Sequence, residues 1–241
     1  MKRFLLCLFV LLSFSLQAQY TETINSNRPG ASTGAFSVGK NVIQGEGGFF
    51  TIKNNHEVRD ADFKGFGFGY EFRYGLLWEE LELNLQGAFQ GGTRTLNAST
   101  VPVEGKLSNF THNTFGVKYM FFDPWKNREE EKPNLYSWKA NKGFKWKNLI
   151  PALSGYAGVN FNLSNTPFVY GSNFNFGNLE EPTISPKIML MSQNNWNGGW
   201  VFVINIIGDR LFMTDHPIYS YILTLTHSFH PQWSIFLEHQ G

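Results

Sequence analysis

Hydrophobic and polar positions alternate with a period of two along much of this chain. The clearest case is Phe66-Gly-Phe68-Gly-Tyr70-Glu-Phe72-Arg-Tyr74, where every second residue is aromatic and Gly67, Gly69, Glu71 and Arg73 stand between. Successive side chains of a strand point to opposite faces, so such a segment has one side in an apolar medium and the other in a polar one. The apolar medium is either a protein core or a lipid bilayer.

The same reading predicts strands elsewhere. Residues 42–53 set Ile43, Phe49 and Thr51 against Gln44 and Glu46, with imperfect alternation. A third segment sets Leu77, Leu81, Leu83 and Leu85 against Glu80, Glu82, Asn84 and Gln86. Residues 113–122 set Phe115, Val117, Tyr119 and Phe121 against Thr114, Gly116 and Lys118. Residues 152–163 follow, with Leu153, Ala157, Val159, Phe161 and Leu163 against Ser154, Tyr156, Asn160 and Asn162. Ile184, Ile188 and Leu190 then oppose Ser185, Lys187, Met189 and Met191, and Trp200, Phe202, Ile204 and Ile206 oppose Val201, Val203 and Asn205. Tyr219, Tyr221, Leu223 and Leu225 oppose Ser220, Thr224 and Thr226, and a last segment sets Trp233, Ile235 and Leu237 against Ser234 and Glu238. The count is about nine strands, each near the length of roughly ten residues that a tilted strand needs to cross a bilayer.

Connections alternate in length. One end carries the turn near Gly75, the stretch 123–150, the turn at 194–198 and His230-Pro231-Gln232; the other carries 54–62, 91–108, 164–182 and 208–216. Long outer loops and short periplasmic turns are the habit of outer-membrane barrels. The exception is 123–150, which holds seven Lys or Arg residues and Trp125, Trp138 and Trp146. It reads as a basic insert, either a docking or interfacial arm or a solvated segment.

Composition changes the picture in one respect. A chain with 17% aromatic residues, 24 Gly and 24 Phe but a mean hydropathy of only -0.25 combines a greasy and a polar face that cancel in any average, as in a transmembrane barrel. Lys2 and Arg3 followed by an apolar run to Leu16 read as a signal peptide over residues 1–19. Residues 20–41 then form a periplasmic lead-in and 42–241 the barrel. The single cysteine, Cys7, lies inside the apolar run, so the mature chain is expected to hold no disulfide. A formal net charge of +1 gives nucleic acid no footprint.

Asn27-Arg28-Pro29-Gly30, followed by Ser37-Val38-Gly39-Lys40-Asn41-Val42-Ile43-Gln44-Gly45-Glu46-Gly47-Gly48, resembles the opening of a bacterial outer-membrane family, that of the meta-pathway of phenol degradation. The family's opening runs Thr-Asp-Arg-Pro, a Val-Gly-Lys-Gly-like turn and Gln-x-Glu-x-Gly; this chain departs from it at Ser26-Asn27 and at Asn41. Gly116-Val117-Lys118-Tyr119 continues the likeness more loosely. The resemblance implies an antiparallel transmembrane β-barrel of the outer membrane with a role in uptake of small, aromatic compounds. Such barrels close on a terminal aromatic strand, whereas here the pattern stops at Glu238-His-Gln-Gly241, so a barrel truncated before its closing strands is expected. Open edges in hydrocarbon would cost several kcal/mol per unpaired group.

On the inward face stand Glu46, Glu71, Arg73, Glu80, Glu82, Lys118, Lys187 and Glu238. They either line a selectivity path for a small solute or fill a narrow lumen with mutually paired charges. The six histidines fall mostly at strand ends and loops, and adjacent His227 and Ser228 face opposite sides of a strand, so they make no nucleophile and base pair. No HExxH, P-loop, GxSxG or paired-cysteine site is present. No catalytic residue, metal or cofactor is therefore assigned. A channel for small organic molecules leads; a structural or adhesive barrel with a plugged lumen, a lipid-acting barrel enzyme and a secreted lipocalin-like barrel remain open. Tyr70, Tyr74, Trp78, Trp200, Tyr219, Tyr221 and Trp233 near strand ends favour membrane lipid as the surrounding partner.

Overall fold

The computed structural model describes residues 26–28, 30–56, 60–97, 101–124, 126, 136, 149–161, 163, 183–196, 198–212, 217–230 and 233–241. The expected signal peptide, most of the basic insert and all of 164–182 lie outside the described residues.

The described chain is all-β and antiparallel. Its strands are β1 (Ile43–His56), β2 (Ala61–Gly75), β3 (Leu81–Leu96), β4 (Val103–Phe122), β5 (Ala152–Phe161), β6 (Ile184–Trp196), β7 (Trp200–Asp209), β8 (Ile218–His230) and β9 (Trp233–Gln240). They pair in sequence order as one nine-stranded sheet. No ladder joins β1 to β9 among the described residues.

The predicted faces hold along the sheet. Inward positions such as Glu71, Arg73, Glu82, Asn84, Thr114, Lys118, Ser154 and Asn205 are buried, while outward Phe66, Phe72, Phe115, Ile188, Ile206 and Leu237 are exposed. The outward face is thus a wide apolar belt, the reverse of a water-soluble sandwich. Registers between neighbours align its residues into rows. Phe49 faces Phe68, Phe68 faces Phe89 and Phe89 faces Phe110, so four adjacent strands present one continuous phenylalanine row. Its rings contact at 5.0 Å for Phe49 and Phe68 and 5.3 Å for Phe89 and Phe110. Aromatic cross-strand pairs of this kind each add a few tenths to about 1 kcal/mol and pin the register.

Three boundaries differ from the sequence reading, each for a local reason. Leu77 does not continue a strand: its φ is 56°, and a turn closed by Leu76 N–H to Leu81 O (2.9 Å) separates β2 from β3. The 91–108 loop is mostly ladder, because β3 and β4 run on to Leu96 and from Val103. Its outward positions are Gly91, Thr93, Thr95, Glu104, Lys106 and Ser108 rather than apolar side chains, which erases the hydrophobic alternation without breaking the pairing. A bulge at Ala88/Phe89 resets the register partway up this hairpin. The turn expected at 194–198 is shorter, because β6 runs on to Trp196, and Gly198 and Gly199 take φ of 85° and 79°, the left-handed geometry that a side chain resists in a tight hairpin.

The sheet curls strongly. Laid flat, its first and last strands would stand about 38 Å apart. Yet Arg28 N–H donates to Glu46 of β1 (3.2 Å) and Ala31 N–H donates to Glu238 of β9 (3.0 Å). Three residues span at most about 11 Å. Both edges therefore come within reach of one short segment, and the inward face becomes the wall of a lumen.

Candidate functional site

That segment, residues 26–28 and 30–39, is the centre of the site. It carries little regular structure of its own and lies along the concave face, held by side chains projecting from the strands. Asn27 donates through Nδ2 to Glu71 of β2 (2.9 Å), and its N–H reaches Glu46 of β1 (3.3 Å). Ala31 and Ser32 N–H groups converge on the Glu238 carboxylate of β9. Thr33 exchanges two bonds with the Asn205 amide of β7, its N–H donating at 2.7 Å and its C=O accepting at 2.8 Å. Ala35 N–H donates to Gln193 of β6 (2.9 Å), and Val38 N–H to Glu82 of β3 (2.8 Å). Its last link is the pairing of Lys40 with Gly75, after which Asn41, at φ 61°, turns the chain into β1. The segment is a strap across the lumen.

Backbone polar groups removed from water need partners, and here the strand side chains supply them. The close approach depends on the run Gly30-Ala31-Ser32-Thr33-Gly34-Ala35, six small residues that let the backbone lie against the wall. Arg28 uses a different device. Its guanidinium sits over Gly48 and Gly69, where added Cβ atoms would fall at 2.9 and 2.7 Å from its nitrogens.

Under the strap lies an ionic cluster. Arg73 donates through Nε (2.9 Å) and Nη2 (3.0 Å) to Glu82, a two-pronged pair, and Lys118 Nζ stands 3.1 Å from the same carboxylate. All three residues are at most 1% exposed. The two cations also reach the strap: Lys118 Nζ donates to the carbonyl of Phe36 (2.9 Å) and of Gly34 (3.4 Å), and Arg73 Nη2 to that of Phe36 (3.4 Å). Glu46 lies 3.8 Å from Arg73. Every charge of the cluster is thus shared between a neighbouring strand and the strap backbone, which is the condition for keeping ions out of water. Beside it, Ala35 and Phe36 of the strap pack on Ala152, Tyr156, Met189, Met191 and Ile207, the one buried apolar cluster of the described residues.

Of the residues read from the sequence as inward charges, Glu46, Glu71, Arg73, Glu82, Lys118 and Glu238 gather on the strap. Lys187 projects inward from β6 at the level of Gly158, further from the strap, on the same wall as Asn160, Ser185 and Asp209. Glu80 is elsewhere: it lies in the turn before β3, where its side chain pairs with Lys126 and its carbonyl accepts from Ser37. Asn84 Oδ1, Ser154 Oγ and Tyr156 Oη are buried on the inner wall and have no partner among the described residues.

Sequence periodicity does not find the anchoring roles of Gln193 and Asn205 on this wall, because their partners are backbone groups of a segment without alternation. Both roles, and the strap itself, are read only from the structure. The run of small residues is the available signal. His227, whose ring stacks on Trp200 at 4.1 Å, is directed away from the strap side with the outward residues of β8. Tyr70, expected at a strand end, sits mid-strand instead, with its hydroxyl bonded to the Asn113 side chain across Gly87.

A family model described as "Putative MetA-pathway of phenol degradation" matches residues 26–241, from the first described residue of the strap to the end of the chain. No curated protein and no solved structure matches.

Proposed function

The chain belongs to the family of the MetA pathway of phenol degradation, and on that premise we propose that it is an outer-membrane channel for passive uptake of small aromatic or hydrophobic molecules, gated by the strap. The observation that carries this reading is the kind of bond that holds the strap. Its backbone is fixed by side-chain carboxylates, amides and cations on an otherwise polar wall, with a single small apolar contact. In a dry core, releasing such a segment would strand ions at a cost of several kcal/mol each. In a lumen, water takes the place of each partner as the strap leaves, so the stopper is removable. The belt of outward Phe, Tyr, Ile and Leu supports a bilayer as the surrounding medium. Tyr156, Met189 and Met191 beside Phe36 offer a flat or hydrophobic solute an apolar resting place on a polar path. The path needs no catalytic step and no cofactor.

A permanently closed structural barrel is the competing reading, favoured by the number of bonds the strap makes. Single-channel recording separates the two. The full-length gene product, purified from membranes and placed in a planar bilayer, is expected to give discrete conductance steps that phenol-like solutes block. Gly69→Val, whose side chain displaces the far end of Arg28 and not any backbone, is expected to raise the open fraction. A folded, heat-modifiable protein that stays silent in both forms would establish the closed barrel.

A further inference from the structure

On the outward face, β1 to β4 carry a second row four residues beyond the phenylalanines toward the hairpin tips. Lys53 faces Lys64, Lys64 faces Thr93, and Thr93 faces Lys106, so three ammonium groups stand on β1, β2 and β4 with a hydroxyl on β3 between the last two. All three lysines are exposed, and none makes an ion pair among the described residues. Like charges placed directly opposite, as Lys53 and Lys64 are, oppose pairing of the strands unless an anion lies between them. Strand spacing spreads the row over about 14 Å.

Directly beneath the row, Phe66 faces Gly91 and Gly91 faces Ser108. The missing side chain at Gly91 opens a groove of about 500 Å³ between Phe66 and Phe89, with Lys106, Thr93 and Ser108 at its rim. Below an outermost row in which Asn55 faces Asp62, Asp62 faces Thr95 and Thr95 faces Glu104, the surface reads cations, hydroxyls, an apolar groove, then the phenylalanine row. That order mirrors an amphiphile standing in the membrane, with a phosphorylated headgroup over acyl chains.

We propose that this patch binds a phosphorylated lipid of the outer leaflet, its phosphates on Lys53, Lys64 and Lys106 and an acyl chain in the groove at Gly91. The proposal rests on the membrane setting of the preceding section and not on conduction. Charge complementarity selects the occupant: an apolar groove alone would take any acyl chain, whereas three unpaired ammonium groups spread across the sheet favour a headgroup carrying more than one phosphate.

The test is lipid retention by the full-length gene product in detergent, read by native mass spectrometry with bisphosphorylated lipid A, its dephosphorylated form and phosphatidylglycerol as probes. Bisphosphorylated lipid A is expected to be retained best. Lys53→Gln/Lys64→Gln/Lys106→Gln is expected to lower its retention by at least about tenfold, since each lysine contributes about fivefold near an anionic headgroup. The corresponding triple arginine variant is expected to restore it. Gly91→Leu, which fills the groove and keeps the charges, is expected to weaken retention of the same lipid. Equal retention of the dephosphorylated form or of phosphatidylglycerol, or unchanged retention by the triple glutamine variant, would overturn the proposal. Because these lysines face outward, channel recordings on the same variants keep a failure here apart from a failure of the gated-channel reading.

Discussion

Glu82 and Glu80 are two residues apart and are indistinguishable in the alternating pattern, yet they occupy opposite environments. Glu82 is wholly buried between Arg73 and Lys118 and accepts from the Val38 N–H; Glu80 pairs with Lys126 where both side chains are partly exposed. Removing one partner of a buried ionic cluster costs about 3–5 kcal/mol, whereas an exposed pair is worth no more than about 1 kcal/mol. Glu82→Ala is accordingly expected to lower the denaturant midpoint of the detergent-folded protein strongly, and Glu80→Ala barely to move it. A shift of similar size in both would refute the assignment. Alternation marks Arg73, Glu82 and Lys118 as inward because it sorts faces well. It cannot sort partners, since pairing depends on which residues of neighbouring strands share a level. Glu80 is misplaced by the pattern because the leucine period of β3 extends back through Leu77, whose left-handed φ ends the strand.

At the scale of elements, strands are legible and the strap is not. Strand identity follows from a period of two, and all nine segments predicted from it are strands. The strap has no period, and its order comes from bonds to residues up to 207 positions away. Its amides should exchange hydrogen in groups set by the anchoring side chain. With Glu238→Ala, the Ala31 and Ser32 amides are expected to exchange at least about tenfold faster, while Val38, held by Glu82, keeps its protection. Uniform acceleration along 26–39 would show instead that the strap leaves as one unit. The β3 and β4 hairpin shows the other limit of periodicity. Its upper half loses the apolar alternation because 16- and 20-residue strands exceed the roughly ten residues a bilayer covers, so their ends meet water or headgroups.

For the whole molecule, the outward belt and the unequal strand lengths define two ends. In cells, a membrane-impermeant maleimide is expected to label Val101→Cys, at the β3 and β4 tip, from outside. Leu77→Cys, in the turn between β2 and β3, is expected to react only after the outer membrane is permeabilised; labelling in the reverse order would invert the molecule. What sequence pattern conveys at this scale is the antiparallel sheet and its two faces. Curvature stays hidden, because what reveals it is a non-periodic segment that reaches both β1 and β9. The bridge also has a temporal meaning. Ala31 emerges from the ribosome early but cannot find Glu238 until β9 exists, so a segment made early can be fully seated only after β9 has formed. Strap protection would then serve as an assembly clock: its appearance in a refolding time course marks the moment at which β9 has been laid down and the sheet has curled, and until that moment the lumen stays unstoppered.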